Sequence, residues 1–501
     1  MAEASTEATG AAPPPLHVVV FPWLAFGHFT PFLELSEQLA RRGHAVTFVS
    51  TPRNVARPRP VNPRIRLLPL PLPSVDGLPD GAESTPDVPP EKVDLLKVAF
   101  DALAAPFARF LHEACAGGDG ATEFGKRPDW IFVDFAHYWL PPIAEQHKVP
   151  CALLYICPPF VAFIGPTAAN EAHPRTTAED LMAQPRWIPF PTTIAHRLHE
   201  AKDMLTFPAN ASGPSDACRL WQTEQRCPLV ILRGSREVDG PLCGPFLADL
   251  FGKPVALCGL LAPYDAALAA QETVDDESES QGFGYRMRQF YRGGRINVVT
   301  TSLMRWLDEQ PARSVIYVAF GREAQLTRHH VRELALGLEL AGARFLWALR
   351  GPSAALLPDG FEERVAVGGR GVVRAGWVPQ VRVLARGAVG AFLTHAGLSS
   401  LTESFLFGHP LVMLPLFLDQ GVTARGMAAR GVGLEVPREE GDGSFGRDDV
   451  AATVRRVMAE GEEGKAFARN AGELQAVLWD RAKQDEYVDD LVAEHLLRLR
   501  L

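Results

Sequence analysis

No stretch of this 501-residue sequence reaches the roughly 18 unbroken apolar residues that a membrane-spanning helix needs. The best apolar run, residues 405–418, is interrupted by His409 and Pro410. Positive charge is also in short supply: 50 Lys and Arg stand against 59 Asp and Glu, a net charge of −9. A polyanion would find no basic surface, which argues against nucleic acid as a partner. The seven cysteines form no CxxC pair, are odd in number and all lie between Cys115 and Cys258. A reduced, cytosolic compartment is the expected setting. The opening MAEASTEATGAAPPP has no basic segment followed by an apolar one, so residues 1–15 are expected as a disordered lead rather than a signal peptide. Three well-known motifs are missing too. The loop WLAFGHF has one glycine where the dinucleotide fingerprint needs three, and neither a GK[ST] phosphate loop nor a GxSxG nucleophile turn occurs. A nicotinamide-dependent oxidoreductase is therefore disfavoured.

What the sequence has is enough apolar residues, 47%, for two cores of about 200 to 250 residues each. The 43 glycines and 42 prolines imply many short connections rather than long helices. Residues 17–22 (HVVVFP) read as a buried parallel strand. Thr30 and Pro31 read as the N-cap and first residue of a helix that closes at Arg41, Arg42 and Gly43, and residues 45–49 as a second strand. The rhythm returns at 130–133 and 151–155, then at 314–320, 344–349, 371–373 and 388–393. An α/β fold of two Rossmann-like units is the expectation. It has a first domain over 16–260, a polar linker or insertion over 261–305, a second domain over 306–480, and a C-terminal helix over 481–501 that packs back on the first domain. The acidic triplet Asp275, Asp276 and Glu277 in the linker has no His or Cys beside it and is not read as a metal site.

Ligands of open α/β sheets bind beyond the carboxyl ends of the strands. His28 follows the first strand, and Asp134 follows the strand at 130–133. A carboxylate there could hold the imidazole in one tautomer and stabilise its protonated form, as a general base and its orienting partner require. The competing reading is two satisfied loop residues, and on the residues alone the two stand about even. In the second half HAGLSS (395–400) follows a strand and opens a helix. Backbone N–H groups, two hydroxyls and a helix dipole would converge there, a site for phosphate. The alternative is a capping box with Ser400 as N-cap and Glu403 three residues on.

The stretch from Trp377 to Gln420, WVPQVRVLARGAVGAFLTHAGLSSLTESFLFGHPLVMLPLFLDQ, resembles the signature box of the plant family-1 UDP-sugar glycosyltransferases. Trp377, Gln380, His395, Gly397, Glu403, Asp419 and Gln420 stand at that family's spacing. The resemblance runs over nearly the whole chain, through PWLAFGH, RGHAVTFVSTPRN, LPDGAEST, RWLDEQPARSVIYVAFG and LALGLELAGARFLWALR. It is nearest to the branch that extends existing glycosides of steviol and flavonoids. The resemblance implies a GT-B fold, two Rossmann-like domains facing across a cleft, with the nucleotide sugar on the second domain and the acceptor on the first.

It implies roles as well. Trp377 would stack on uracil, edged by Gln380 and the Val378 backbone. Glu403 would take the ribose hydroxyls, and His395, Ser400 and the Gly397 loop the diphosphate. Asp419 and Gln420 would bind the sugar, with Gln at that position usually associated with glucose. His28 would be the base and Asp134 its partner in an inverting transfer, with UDP-glucose as co-substrate and no metal. Phe26, Phe29, Tyr138, Trp139, Phe160, Phe163 and Trp187 would wall a small-molecule acceptor site. A monomer is expected. The sequence departs from the family at three positions that bear on the donor. Leu398 replaces a Trp, Ser399 an Asn, and Arg322, after Gly321, a Ser that reaches the diphosphate. These departures raise the alternative of a homologue that binds a small ligand without transferring sugar.

Overall fold

The computed structural model describes residues 15–56, 62–116, 126–205, 212–243, 245–272, 297–321, 324, 326–350 and 355–499, without the side chains of 158–160, 269–272 and 297–301. Two all-parallel sheets organise the chain. The first has seven strands: β1 (His17–Val20), β2 (Ala45–Ser50), β3 (Ile65–Pro69), β4 (Trp130–Val133), β5 (Cys151–Tyr155), β6 (Leu229–Leu232) and β7 (Val255–Leu257), in the order 3-2-1-4-5-6-7. The second has six: β8 (Val315–Ala319), β9 (Arg344–Leu349), β10 (Gly371–Ala375), β11 (Val389–Thr394), β12 (Leu411–Met413) and β13 (Gly433–Glu435), in the order 10-9-8-11-12-13. Both are Rossmann-like, with the order reversing after the first strand of each.

The strands read as continuous apolar runs because helices cover both faces. Along β1, Val18 and Val20 face one cluster with Phe32 and Leu35, while Val19 and Phe21 face another with Phe100 and Phe107. In β8, Val315, Tyr317 and Ala319 pack on one side, and Ile316, Val318 and Phe320 on the other. That period-2 alternation places a two-layer core around each sheet.

Five helices position the groups discussed below: α1 (Phe26–Arg41), α2 (Leu198–Leu205), α3 (Leu398–Phe405), α4 (Gln420–Ala429) and α5 (Arg481–Asp490). α5 and the turn after it return to the first sheet. Val488, Leu491 and Leu496 pack with Leu16 and Val18, and Trp130 Nε1 donates to the Leu496 carbonyl at 2.9 Å. Of the stretch expected as a linker, helix Tyr264–Glu272 buries Tyr264 and Ala267 against the second domain's core, and helix Asn297–Asp308 follows. The acidic triplet at 275–277 lies outside the described residues.

The first helix corrects the expectation. It begins at Phe26, with Ala25 as its extended N-cap, and Pro31 lies inside it. The Phe29 N–H closes the first turn on the Ala25 carbonyl at 2.9 Å, and the Phe29 ring is buried edge-on against Phe48 at 5.0 Å. Burial of that ring outweighs the Thr30–Pro31 cap signal, and Pro31, the sixth helical residue, forgoes the bond to the Gly27 carbonyl. His28 is therefore part of the helix and not of the loop before it.

Candidate functional site

A parallel sheet leaves a crevice at its carboxyl edge where the strand order reverses. In the first sheet that point lies between β1 and β4, and in the second between β8 and β11. Val20 pairs with Phe132 and Ala319 with Thr394, so the loops at each reversal leave the sheet side by side. His28 and Asp134 stand at the first reversal, Gly321 and His395 at the second.

At the first, His28 Nδ1 lies 2.8 Å from Asp134 Oδ2. Trp23 N–H donates to the same oxygen at 2.9 Å and Phe135 N–H to Oδ1 at 2.7 Å. Burial pushes the Asp134 carboxyl up, but the His28 ring and the Trp23 N–H outweigh it and hold the group below the usual carboxylate value. A carboxylate only accepts, so Nδ1 carries a proton, and in the neutral ring the lone pair is on Nε2. The imidazole ring is partly exposed, its side chain at 23%, and Asp134 is buried. Beneath them His137 is fully buried between Phe21 and Phe100 and accepts the Asp134 N–H at 3.1 Å, and burial lowers its pKa to about 4.

At the second reversal, α3 begins at Leu398 with Gly397 as an extended N-cap and no side-chain cap. The capping-box alternative is overturned: Ser400 is the third helical residue, and Glu403 points to another partner. Gln380 Nε2 donates to Glu403 Oε2 at 2.9 Å and approaches Ser400 Oγ at 3.4 Å, and Gln380 Oε1 accepts from Tyr317 Oη at 3.4 Å. His395 fits between two glycines. A Cβ on Gly321 would come within 2.9 Å of its ring and one on Gly397 within 2.5 Å. Burial, with Arg350 adding repulsion, lowers the His395 pKa to about 4, so the ring is neutral near pH 7. Trp377 is 37% exposed and Val378 nearly buried.

At the start of α4, Asp419 is the N-cap residue. Burial raises its pKa, opposed by a hydrogen bond with Cys157 and by the nearby His28. That places Asp419, from the second domain, within electrostatic range of His28, from the first. The Gln420 Oε1 accepts Leu416 N–H at 2.9 Å and Phe417 N–H at 3.3 Å. α2 and α4 are tied by Glu200 to Arg425 at 3.1 Å, and Arg197 reaches Glu435 at 3.1 Å.

The aromatic residues expected around the acceptor divide. Phe29 and Phe163 are core residues, 3% and 0% exposed. Tyr138 Oη donates to Asp101 Oδ2 at 3.2 Å with Arg219 stacked on its ring, and Trp187 Nε1 donates to the Ala162 carbonyl at 2.8 Å. Phe26 and Trp139 are half-buried. The Phe160 side chain and all of Arg322 lie outside the described residues. Sequence patterns do not single out Phe135, whose ring centroid is 5.6 Å from that of His28. Nor do they single out Cys157 against Asp419, or Arg233, which donates to Ser399 Oγ at 2.9 Å. Arg233 follows β6 as Asp134 follows β4, so the strand-end rule finds it only once LVIL is recognised as a strand. Among the described residues no group of three or more His, Cys, Asp or Glu could hold a metal ion, and no helix is long and apolar enough to cross a membrane.

A family model described as UDP-glucoronosyl and UDP-glucosyl transferase matches residues 299–484. UDP-glycosyltransferase 91B1 of Arabidopsis thaliana is 39% identical, covering 96% of this chain and 97% of its own. Soyasaponin III rhamnosyltransferase of Glycine max is 36% identical, covering 95% of each. A crystal structure of Glycyrrhiza uralensis UGT73P12 with glycyrrhetinic acid 3-O-monoglucuronide superposes with a TM-score of 0.74 at 20% identity, over 97% of this chain and 96% of the other, a likeness of fold.

Proposed function

Because the chain belongs to the plant family-1 UDP-sugar glycosyltransferases, we propose that it transfers glucose, with inversion, from UDP-glucose to a hydroxyl of a small terpenoid or flavonoid that already carries a sugar. The observation that carries this reading is the His28–Asp134 pair, held at 2.8 Å with Nε2 left basic and Asp419 of the other domain nearby. His28 Nε2 takes the proton of the acceptor hydroxyl as that oxygen bonds to the anomeric carbon. The bond from that carbon to UDP breaks on the opposite face, and its electron pair leaves with the diphosphate. Asp134 stabilises the imidazolium that results.

On the donor side, the exposed Trp377 offers an indole face for uracil, and Glu403, fixed by Gln380, a carboxylate for the ribose diol. Neutral His395, Ser400 and the uncapped first turn of α3 supply N–H and O–H donors for the diphosphate. Gln420 has its amide oxygen engaged by the Leu416 and Phe417 N–H groups, which leaves its NH2 group as the donor for a sugar hydroxyl, with Asp419 next to it in sequence. All seven cysteines are free thiols, which supports a reducing, cytosolic setting.

The test is UDP release by the purified protein with UDP-glucose or UDP-rhamnose, each offered an aglycone or its monoglucoside. The expected result is turnover with UDP-glucose and the glycoside. Preference for UDP-rhamnose would overturn the donor assignment, preference for the aglycone the acceptor assignment, and no release from any pair the transfer itself.

A further inference from the structure

Arg233 belongs to the first domain by its position after β6, but its side chain ends against the second. It is 2% exposed. Nε donates to the Leu260 carbonyl at 2.8 Å, Nη1 to Ser399 Oγ at 2.9 Å and Nη2 to Thr402 Oγ1 at 3.4 Å. Every acceptor is neutral, and among the described residues no carboxylate lies within ion-pair distance of it, Glu403 and Glu34 favouring its charge only from farther off. Burial disfavours its charge, yet a guanidinium stays protonated in a protein. The other deeply buried arginine shows the usual solution: Arg219, 0% exposed, meets both oxygens of Asp101 at 2.7 Å. A buried cation without its anion is strongly unfavourable.

The place where Arg233 keeps its charge is the first turn and a half of α3, which has no side-chain cap and no acidic residue in its first turn. Ser399 is the link. A hydroxyl has one hydrogen to give and two lone pairs to receive. Accepting from Arg233 fills one lone pair and leaves the O–H to donate elsewhere.

We propose that Arg233 is an interdomain positioning residue for the donor diphosphate: its guanidinium orients and polarises the Ser399 hydroxyl as a donor to the anion, and its charge, brought from the first domain, offsets that of the diphosphate at the N-terminal turn of α3. This rests on the donor-site reading above. One half of the relay sits on each domain, so tight diphosphate binding requires the two to be apposed. It also gives Ser399 a function of its own: one oxygen accepts from the arginine and donates to the ligand.

The experiment is calorimetric titration of the full chain with UDP and, separately, with uridine, for wild type, Arg233→Gln, Arg233→Lys, Ser399→Ala and the Arg233→Gln/Ser399→Ala pair, with melting curves to establish folding. Arg233→Gln is expected to weaken UDP about tenfold to a hundredfold, the loss of a charge-assisted bond, and to leave uridine affinity unchanged. Lys should restore part of the loss, and the double variant should lose less than the two single losses combined. Equal weakening of UDP and uridine, or an unchanged UDP affinity, would overturn the proposal. If Arg233→Gln does not fold, Ser399→Ala decides alone, since unchanged UDP affinity there breaks the relay. A wild type that binds neither ligand would instead sink the donor-site reading.

Discussion

The two strand-order reversals have the same topology and opposite chemistry. In the first domain the protein's own carboxylate fills the crevice: Asp134 accepts from Trp23 N–H, Phe135 N–H and His28 Nδ1, all within one domain. In the second the loops after β8 and β11 enclose a neutral histidine between glycines, and the helix beyond has neither a side-chain cap nor an acid in its first turn. The first site is electrostatically complete and can hold a proton in transit. On the proposed reading the second is built from donors, some lent by the other domain, and is completed by the anion of the donor. If those roles hold, one fold presents a base and an anion cradle from the same sheet position, and what differs is whether the acid belongs to the chain or to the ligand.

Removing the ring from the complete site should have the largest effect. His28→Ala is expected to lower turnover about a thousandfold, within the range general-base catalysis supplies, while UDP affinity stays unchanged. Single-turnover rates and calorimetry read the two halves separately. A matching loss of UDP binding would mean the sites are not chemically separate.

Acid stability sharpens the contrast next. His137 has a folded pKa of about 4 against about 6.5 when unfolded. As pH falls below 6.5 the unfolded chain takes up a proton that the folded one refuses, so stability drops by about 1.4 kcal/mol per pH unit until pH nears 4. Between pH 7 and pH 5 this one ring should cost about 2 kcal/mol, and His137→Gln should remove that much of the difference in urea unfolding. Asp134 does not confuse the measurement. Its pKa is depressed, so its contribution is in place above the unfolded value of about 3.9 and is lost only as pH falls through the folded value. An unaltered pH dependence in the variant would mean His137 is not held neutral.

A smaller effect is expected where the glycines press on His395. In Gly397→Ala the new Cβ would lie 2.5 Å from Nε2, so the ring must swing, and UDP affinity should fall about tenfold with little change in melting temperature. No change would mean that the ring's placement is not what the diphosphate senses.

Much of this contrast is legible in the order of the residues alone. The apolar runs at β1, β4, β8 and β11 are readable as strands, and they are the ones that flank the reversals, so His28, Asp134 and His395 can be placed at strand ends directly. β6, β7, β12 and β13 are three or four residues long and sit among prolines, glycines and other apolar residues, where periodicity carries no signal. Arg233 is hidden with β6. Helix starts are obscured for a different reason. At α1 and α3 the apparent caps, Thr30 and Ser400, lie inside the helix, because packing of Phe29 and the turn at Gly397 decide where the chain begins to coil. The aromatic acceptor residues cannot be sorted by pattern, since a buried Phe163 and a half-exposed Trp139 look alike in sequence.

The least effect is expected at Ala396, and its smallness is informative. Ala396 has φ +64°, a left-handed conformation that glycine adopts freely and alanine does not, and Leu418, just before Asp419, has φ +54°. Lys148, Leu261 and Arg313 share a positive φ elsewhere in the chain, so of the five such non-glycine positions among the described residues two, Ala396 and Leu418, fall at the proposed donor site. Ala396→Gly would relieve about 1 to 2 kcal/mol of that strain. Against this, the methyl is fully buried in the second domain's core, worth about 0.8 kcal/mol, and glycine adds about 0.4 to 1 kcal/mol of unfolded-chain entropy. The opposing terms nearly cancel, so stability should stay within about 0.8 kcal/mol of wild type by urea unfolding. If strain serves only to aim the His395–Gly397 loop, UDP affinity should also hold, because glycine can keep the same φ. A fall in UDP affinity without a fall in stability would show that alanine, by limiting the loop's alternatives, holds the anion cradle open before the anion arrives.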